Sequence, residues 1–121
     1  MKHSEARRLV RQLLPKWQKC LRLRDWRIEV EFLDDTVTHR TEREEFYGYT
    51  TVDPKRMEAK IELATKRPPE AVEDVLVHEL VHVVLGELVC VVPGEDSTVK
   101  ALEERAVLRI TKALVGRKRV K

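Results

Sequence analysis

The chain has 121 residues with 24 Lys and Arg against 21 Asp and Glu, a net charge of +3. This length fits one domain over residues 1–121 and leaves no room for a second. Charged residues (37%) nearly match hydrophobic ones (42%), and no apolar run reaches the roughly 18–20 residues that cross a bilayer. With no apolar signal segment at the N-terminus, we expect a cytoplasmic protein with no membrane partner.

Residues 1–24 are predicted to be mainly helical. Apolar residues recur at helical spacing from Ser4, a suitable N-cap, to about Leu14, and Pro15 should end or kink that helix before a second short piece over 16–21. The outer surface of the segment would be basic, and its side chains are Arg7, Arg8, Arg11, Lys16, Lys19, Arg22 and Arg24. A surface of this kind is usually only a solvated helix face; the alternative is a nucleic-acid-binding surface.

The middle of the chain predicts three strands. Residues 26–32 alternate apolar and charged side chains, which indicates a strand with one buried face, and residues 34–45 read as a polar loop. A second strand over 46–52 and a third over 57–63 flank the turn sequence of residues 53–56, so they should form a hairpin. One face of the third strand would be apolar, with Met57, Ala59, Ile61 and Leu63.

Two helices complete the predicted α+β fold. The first starts among residues 65–70, where prolines are tolerated in the opening turn, and ends near residues 87–89 after Gly86. The second is capped by Ser97 or Thr98 and runs to about Val115, leaving residues 116–121 as a basic tail. We therefore expect an N-terminal helix, a small three-stranded twisted sheet with a hairpin, and two C-terminal helices.

The first of these two helices carries a candidate metal site in an otherwise apolar stretch. His78 and His82, four residues apart, lie one above the other on a helix and can aim their rings at one ion. Glu79 is rotated to the side of that pair, where its carboxylate can reach a water on the metal. This is the His-Glu-x-x-His zinc arrangement. The alternative is a core helix whose histidines bond to backbone carbonyls.

A third ligand is needed, because catalytic zinc usually takes three protein ligands. The last helix has an apolar stripe made of Val99, Leu102, Ala106, Val107, Ile110, Ala113 and Leu114. Glu103 falls inside this stripe, whereas Glu104 shares a face with Lys100 and Thr111 and should be more exposed. We therefore predict Glu103 as the third ligand and keep Glu104 as the alternative. Glu103 could instead pair with a buried arginine.

The residues at 78–82, followed on the next helix by Glu103 with an alanine three residues later, resemble the gluzincin metallopeptidases. The order of elements is similar to that of minigluzincins and, more loosely, of small SprT-like and phage-encoded domains. The metzincin pattern is excluded, because Leu85 and Leu88 stand where it requires glycine and histidine. The resemblance covers about residues 26–115. It implies a Zn²⁺-dependent peptidase with Glu79 as general base and with His78, His82 and Glu103 as metal ligands.

The resemblance also implies how a peptide would bind. The substrate would lie extended along a strand edge of the hairpin, with Gly48 allowing close backbone approach. Larger gluzincins steady the oxyanion with a histidine or tyrosine, and the candidates for that role in this chain are His39, Tyr47 and Tyr49.

Two other functions remain open at this point. The first is a zinc-containing regulatory module that associates with nucleic acid through the basic N-terminal helix and the tail around residues 117–119. The second is a latent peptidase whose own termini cover its cleft. The cysteines do not discriminate between these functions: Cys20 and Cys90 lack metal-site or disulfide spacing and should be free thiols.

Overall fold

The computed structural model describes residues 3–33, 48–64, 69–89 and 97–119. In chain order its elements are α1 (His3–Cys20), β1 (Arg27–Leu33), β2 (Gly48–Asp53), β3 (Glu58–Ala64), α2 (Pro69–Val89) and α3 (Ser97–Arg119). The predicted α+β fold, with one helix before a three-stranded sheet and two helices after it, is therefore confirmed. In the part of the chain described, each helix is too short or too polar to cross a membrane.

The sequence predicted that Pro15 ends or kinks the first helix and that a second short piece follows over 16–21; α1 is instead one helix that does not end at Pro15. Pro15 lies inside the helix, and buried side chains lie on both sides of it: Val10 and Trp17 are each 4% exposed. The indole Nε1 of Trp17 also donates a 2.6 Å hydrogen bond to Glu73 Oε2 on α2. Tertiary contacts on both sides of the proline therefore hold one helix despite the backbone hydrogen bond that proline cannot donate.

The sheet has the order β1-β3-β2, with β1 parallel and β2 antiparallel to β3. The predicted hairpin of β2 and β3 is confirmed, and its turn is closed by a 3.2 Å bond from Arg56 N to Asp53 O. Of the four residues predicted on the apolar face of the third strand, Ala59, Ile61 and Leu63 are at least nine-tenths buried. The fourth, Met57, precedes β3 and is only partly buried. This apolar face packs against α2, since alternate residues of a strand point to opposite sides.

Helix α2 is the central element, because it contacts α1, α3, β2 and β3. Its buried apolar residues are Ala71, Val72, Leu76, Val77, Leu80, Val81 and Val83. Gly86 lies inside the helix, not at its end: a Cβ added there would lie 3.1 Å from Val52 Cγ1. The glycine therefore lets α2 approach β2 closely.

Helix α3 differs from its prediction in length and in orientation. It continues through Gly116 to Arg119, so most of the predicted basic tail at 116–121 is helical, and residues 120–121 lie outside the described ranges. Among the described elements α3 contacts only α2. Its most buried side chains are Val107, Thr111 and Val115, whereas Leu102 of the predicted apolar stripe is 53% exposed. The buried face is therefore rotated away from the stripe, because a helix with one neighbour can bury only one narrow side.

Candidate metal centre

His78 and His82 lie one turn apart on α2, with ring centroids 5.2 Å apart and ring planes at 63°. The Nε2 atom of His82 lies 2.9 Å from Glu104 Oε2, and the Nε2 atom of His78 lies 3.5 Å from Glu104 Oε1. One ligand atom from each of these three residues lies within 4.8 Å of the other two. The structure thus brings together the two predicted histidines and a glutamate of α3.

The glutamate at the centre of this cluster is Glu104, the alternative from the sequence, and not Glu103. Glu103 lies on the other side of His82, with its Oε2 atom 2.8 Å from Nδ1. Relative exposure follows the prediction, since the Glu103 side chain is 16% exposed and that of Glu104 is 55% exposed. The more buried glutamate is not the one in the cluster, however. The rotation of α3 about its axis places Glu103 against Nδ1 of His82 and Glu104 against Nε2 of the same ring.

The contacts around His82 raise the pKa of this histidine and lower the pKa of Glu104. Burial by itself would lower the pKa of His82, but hydrogen bonds to Glu104 and Glu103 outweigh burial and raise that pKa to about 9. Hydrogen bonds to His78 and then His82 hold the pKa of Glu104 well below its usual range. In the protein without metal, His82 is therefore a charged imidazolium beside the ionised carboxylate of Glu104. The proton on His82 occupies a nitrogen that a metal ion would otherwise use.

The donor set of two imidazole nitrogens and one carboxylate matches that of catalytic zinc sites. One ligand atom from each residue lies within 4.8 Å of the other two, and the two Nε2 atoms lie 2.9 and 3.5 Å from different oxygens of the Glu104 carboxylate. A neutral His82 that donates Nδ1–H to Glu103 keeps the lone pair of Nε2 for the metal. The chemistry of these donors therefore fits Zn²⁺.

Glu79 contacts β2, is 6% exposed, and lies close enough to His82 and His78 for their charges to lower its pKa. The hydroxyl of Thr50 on β2 donates to Glu79 Oε1 at 2.5 Å and lies 3.3 Å from the backbone oxygen of the same residue. Burial raises the pKa of the Glu79 carboxyl, and the Thr50 hydrogen bond and the two histidines partly oppose that increase. The predicted base is thus a buried carboxylate with one oxygen fixed by a strand.

Gly48 makes room for this carboxylate. A Cβ added at Gly48 would lie 2.8 Å from Glu79 Oε2 and 3.1 Å from Val75 Cγ1. Side-chain carbons essentially never approach an oxygen that closely, so any other residue would displace the Glu79 carboxylate or the strand. The close approach seen at Gly48 is to Glu79, whereas the sequence predicted one to a substrate.

Sequence reasoning missed Thr50 and the bond between Glu103 and His82. The alternation of β2 contained a signal for Thr50, because Gly48, Thr50 and Val52 share the face turned to α2. Tyr49, a candidate for steadying the oxyanion, is 38% exposed and lies on the opposite face of the strand from Thr50. The other candidates, His39 and Tyr47, fall outside the described residues.

Of the two cysteines, Cys20 is a free, exposed thiol as expected, and Cys90 lies outside the described ranges. Comparison with known proteins adds no identification: no family model, no curated protein and no solved structure matches this chain.

Proposed function

We propose that this protein is a zinc-dependent peptidase of the gluzincin type, with His78, His82 and Glu104 as metal ligands and Glu79 as general base. The observation that carries the proposal is the convergence of two Nε2 atoms of α2 and one carboxylate of α3, where α2 also holds a buried glutamate whose pKa the two histidines affect. Glu104 replaces Glu103 as the third ligand because its oxygens face both histidines, whereas Glu103 contacts His82 at Nδ1.

Zn²⁺ in this cluster would supply Lewis acidity that polarises a peptide carbonyl and makes a water easier to deprotonate. Glu79 is the group that accepts the proton and passes it to the leaving amine. Its raised pKa suits this exchange, because a base works best when its pKa lies near the working pH. Thr50 donates to Oε1, so Oε2, beside Gly48, is the oxygen that takes the proton.

Glu103 acts through His82 in this proposal. Its carboxylate accepts from Nδ1 at 2.8 Å and so selects the tautomer that presents Nε2 to the metal. Glu103 is therefore a positioning residue and not a ligand. The pair of adjacent glutamates on α3 divides two tasks, since one carboxylate fixes the imidazole and the other completes the donor set.

The outer edge of β2 is the proposed place for the substrate. Within the described residues β2 pairs only with β3, and it carries the contacts to Glu79. An extended peptide can pair with such an edge through main-chain hydrogen bonds, which depend little on side-chain sequence. We therefore propose peptide segments in extended conformation as the substrate class.

The proposal is tested with Glu79→Gln, which keeps the size of the side chain and its ability to accept the Thr50 hydrogen bond. The variant should bind zinc stoichiometrically and melt near the wild-type temperature, but its turnover of quenched fluorescent peptides should fall by about 100- to 10,000-fold. Zinc content is measured by metal analysis of dialysed protein. The matched control is Glu87→Gln, the same change on an exposed position of the same helix.

The expected pattern is full activity for Glu87→Gln and loss of turnover without loss of zinc for Glu79→Gln. If Glu79→Gln keeps wild-type turnover, Glu79 is not the base. If the zinc-loaded wild-type protein cleaves no member of a broad peptide library, the peptidase proposal fails as a whole.

A further inference from the structure

The positive charge of this chain is concentrated at its N-terminal end. Residues 1–27 hold nine Lys and Arg against two Asp and Glu, a net charge of +7, so the rest of the chain carries −4. The basic residues of this segment that the structure describes are all exposed: Arg7, Arg8, Arg11, Lys16, Lys19, Arg22, Arg24 and Arg27. The apolar side of α1 packs into the core. Such segregation of charge attracts a polyanion.

Half of these cations surround one open concavity, of about 640 Å³, at the corner between α1 and β1. Its lining residues are Lys16, Lys19, Cys20, Arg22, Arg24 and Asp25. We call the four cations Lys16, Lys19, Arg22 and Arg24 the basic corner. Four positive side chains and one carboxylate give the concavity a net positive charge, which suits neighbouring phosphate groups.

Arg22 occupies a backbone position that normally selects glycine. Its φ is 62°, and the hydrogen bonds that close α1 run from Arg22 N to Lys19 O at 3.2 Å and from Leu23 N to Gln18 O at 2.7 Å. This is the Schellman arrangement, whose left-handed residue is usually glycine because a Cβ is unfavourable there. An arginine at this position costs stability, and an exposed side chain does not recover that cost by packing. A role for the exposed guanidinium would offset this cost.

The basic corner is held in a fixed shape. Gln18 Nε2 lies 3.1 Å from the backbone oxygen of Leu23 and 3.2 Å from that of Trp26, so one side chain binds the loop at two points. Leu23 and Trp26 are 4% and 6% exposed and anchor the loop in the core. Arg22 and Arg24 alternate with these anchors and remain outside. A rigid loop lowers the entropy lost when its cations bind a ligand.

The surroundings favour the backbone of a duplex over other polyanions. The lining of the concavity contains no aromatic side chain, so it offers no platform on which single-stranded bases could stack. Within residues 5–32, whose side chains the structure describes, no large apolar side chain is exposed. An amphipathic helix that binds a membrane surface needs such side chains to insert. Phosphates of a double helix require only correctly spaced cations.

We propose that the basic corner is a phosphate-backbone binding site for duplex nucleic acid. Attraction of Lys16 and Lys19 to the negative end of the α1 dipole explains part of the cluster, but not Arg24 or the arginine at a left-handed position. Lys16 also lies 3.6 Å from Glu73, so Lys19, Arg22 and Arg24 carry most of the binding. The site lies beside β1, at the opposite edge of the sheet from β2, and is independent of the proposed peptidase.

The test measures binding of the full-length protein to a short fluorescein-labelled DNA duplex by anisotropy, between about 50 and 200 mM salt. Arg22→Gly should weaken binding about tenfold at the lower salt concentration and reduce the slope of log K against log salt by about 1. The same variant should melt about 2–4 °C higher, because glycine relieves the left-handed strain. Arg24→Ala should weaken binding to a similar extent. Arg109→Ala, which removes an equal charge from exposed α3, is the matched control.

A rise in melting temperature together with weaker binding in Arg22→Gly, and unchanged binding in Arg109→Ala, supports the site. Equal weakening by Arg109→Ala means that only total charge matters and overturns it. Tighter binding of the corresponding single strand overturns the duplex assignment, and so does capture by phosphatidylserine vesicles without binding to the duplex. Absence of duplex binding at the lower salt concentration overturns the proposal entirely.

Discussion

The two faces of α2 that carry the proposed site are built in different ways. The face toward β2 holds Glu79, which is 6% exposed, receives a hydrogen bond from Thr50 and packs against the backbone of Gly48. The face toward α3 holds His78 and His82, whose contacts are carboxylates of a helix with no other neighbour among the described elements. Close packing fixes the first face, and charge contacts hold the second.

Because of this difference, we expect substitutions on the two faces to have different effects on stability and on metal binding. A methyl group added at Gly48 has no space beside Glu79, so substitutions that add volume on this face should lower stability before they change metal binding. Around the histidines, Glu104 is 55% exposed and can be replaced without leaving a large cavity. Substitutions there should change metal affinity and leave the fold nearly intact.

The largest effect is expected on the α3 face, where neighbouring glutamates should behave differently. Glu104→Ala removes the proposed ligand and should weaken zinc binding by more than about 100-fold, whereas Glu103→Ala removes the proposed orienting hydrogen bond and should weaken it by about 10- to 100-fold. Zinc affinity is measured by competition with a chromogenic chelator. Without zinc, each variant should lower the free energy of unfolding by no more than about 1–2 kcal/mol, because each removes one of the carboxylates that contact His82.

The two substitutions act as controls for each other. If Glu103→Ala abolished zinc binding and Glu104→Ala left it unchanged, Glu103 would be the ligand, as the sequence alone suggested. Equal and small losses would mean that neither carboxylate coordinates the metal.

A smaller effect, on stability, is expected on the β2 face. Gly48→Ala puts a methyl group 2.8 Å from Glu79 Oε2 and should reduce the free energy of unfolding by about 2–3 kcal/mol, as overpacking does. Gly116→Ala is the control, because its added Cβ meets no atom within 4 Å and alanine favours a helix by about 0.5–1 kcal/mol. Urea unfolding should therefore move in opposite directions for the two variants. A neutral Gly48→Ala would show that β2 shifts easily and that Glu79 is not fixed by packing.

The smallest effect is a pH dependence that originates on the α3 face. The pKa of His82 is raised from 6.5 to about 9 in the folded protein. The stability that protonated His82 contributes is therefore fully present below pH 6.5 and is lost as the pH rises through 9. Because Glu104 is half exposed and partly screened, we expect a loss of only about 1–2 kcal/mol. The loss is measured by urea unfolding of chelator-treated protein at pH 6.5 and at pH 9.

The control is the double variant Glu103→Gln, Glu104→Gln, which removes the charges that raise the pKa of His82. Its stability should fall less over the same pH range than that of the wild-type protein. Zinc competes with the same proton, so zinc binding should release protons and strengthen as pH rises towards 9. An identical pH profile for the double variant and the wild-type protein would show that these two carboxylates do not cause the pH dependence.

Much of the fold and part of the site followed from local sequence pattern. The alternation in β3 identified its buried face, the turn at residues 53–56 identified the hairpin, and the spacing of His78 and His82 placed both rings on one side of a helix. Each of these predictions depends only on the periodicity or turn residues of one local segment and needs no information about the elements that pack against it. Pro15 shows the limit, because packing of Val10 and Trp17 overrode a strong local signal for a break.

By itself, the sequence determined that an apolar helix presents two imidazoles and a carboxylate in fixed mutual order, since backbone geometry sets their angles. Only the tertiary structure decided which glutamate of α3 joins them, because residues 103 and 104 differ by 100° around a helix axis whose rotation is set by packing on α2. It also decided that Thr50 meets Glu79, 29 residues away along the chain. Contacts between elements depend on how their surfaces fit, and no single periodicity contains that information.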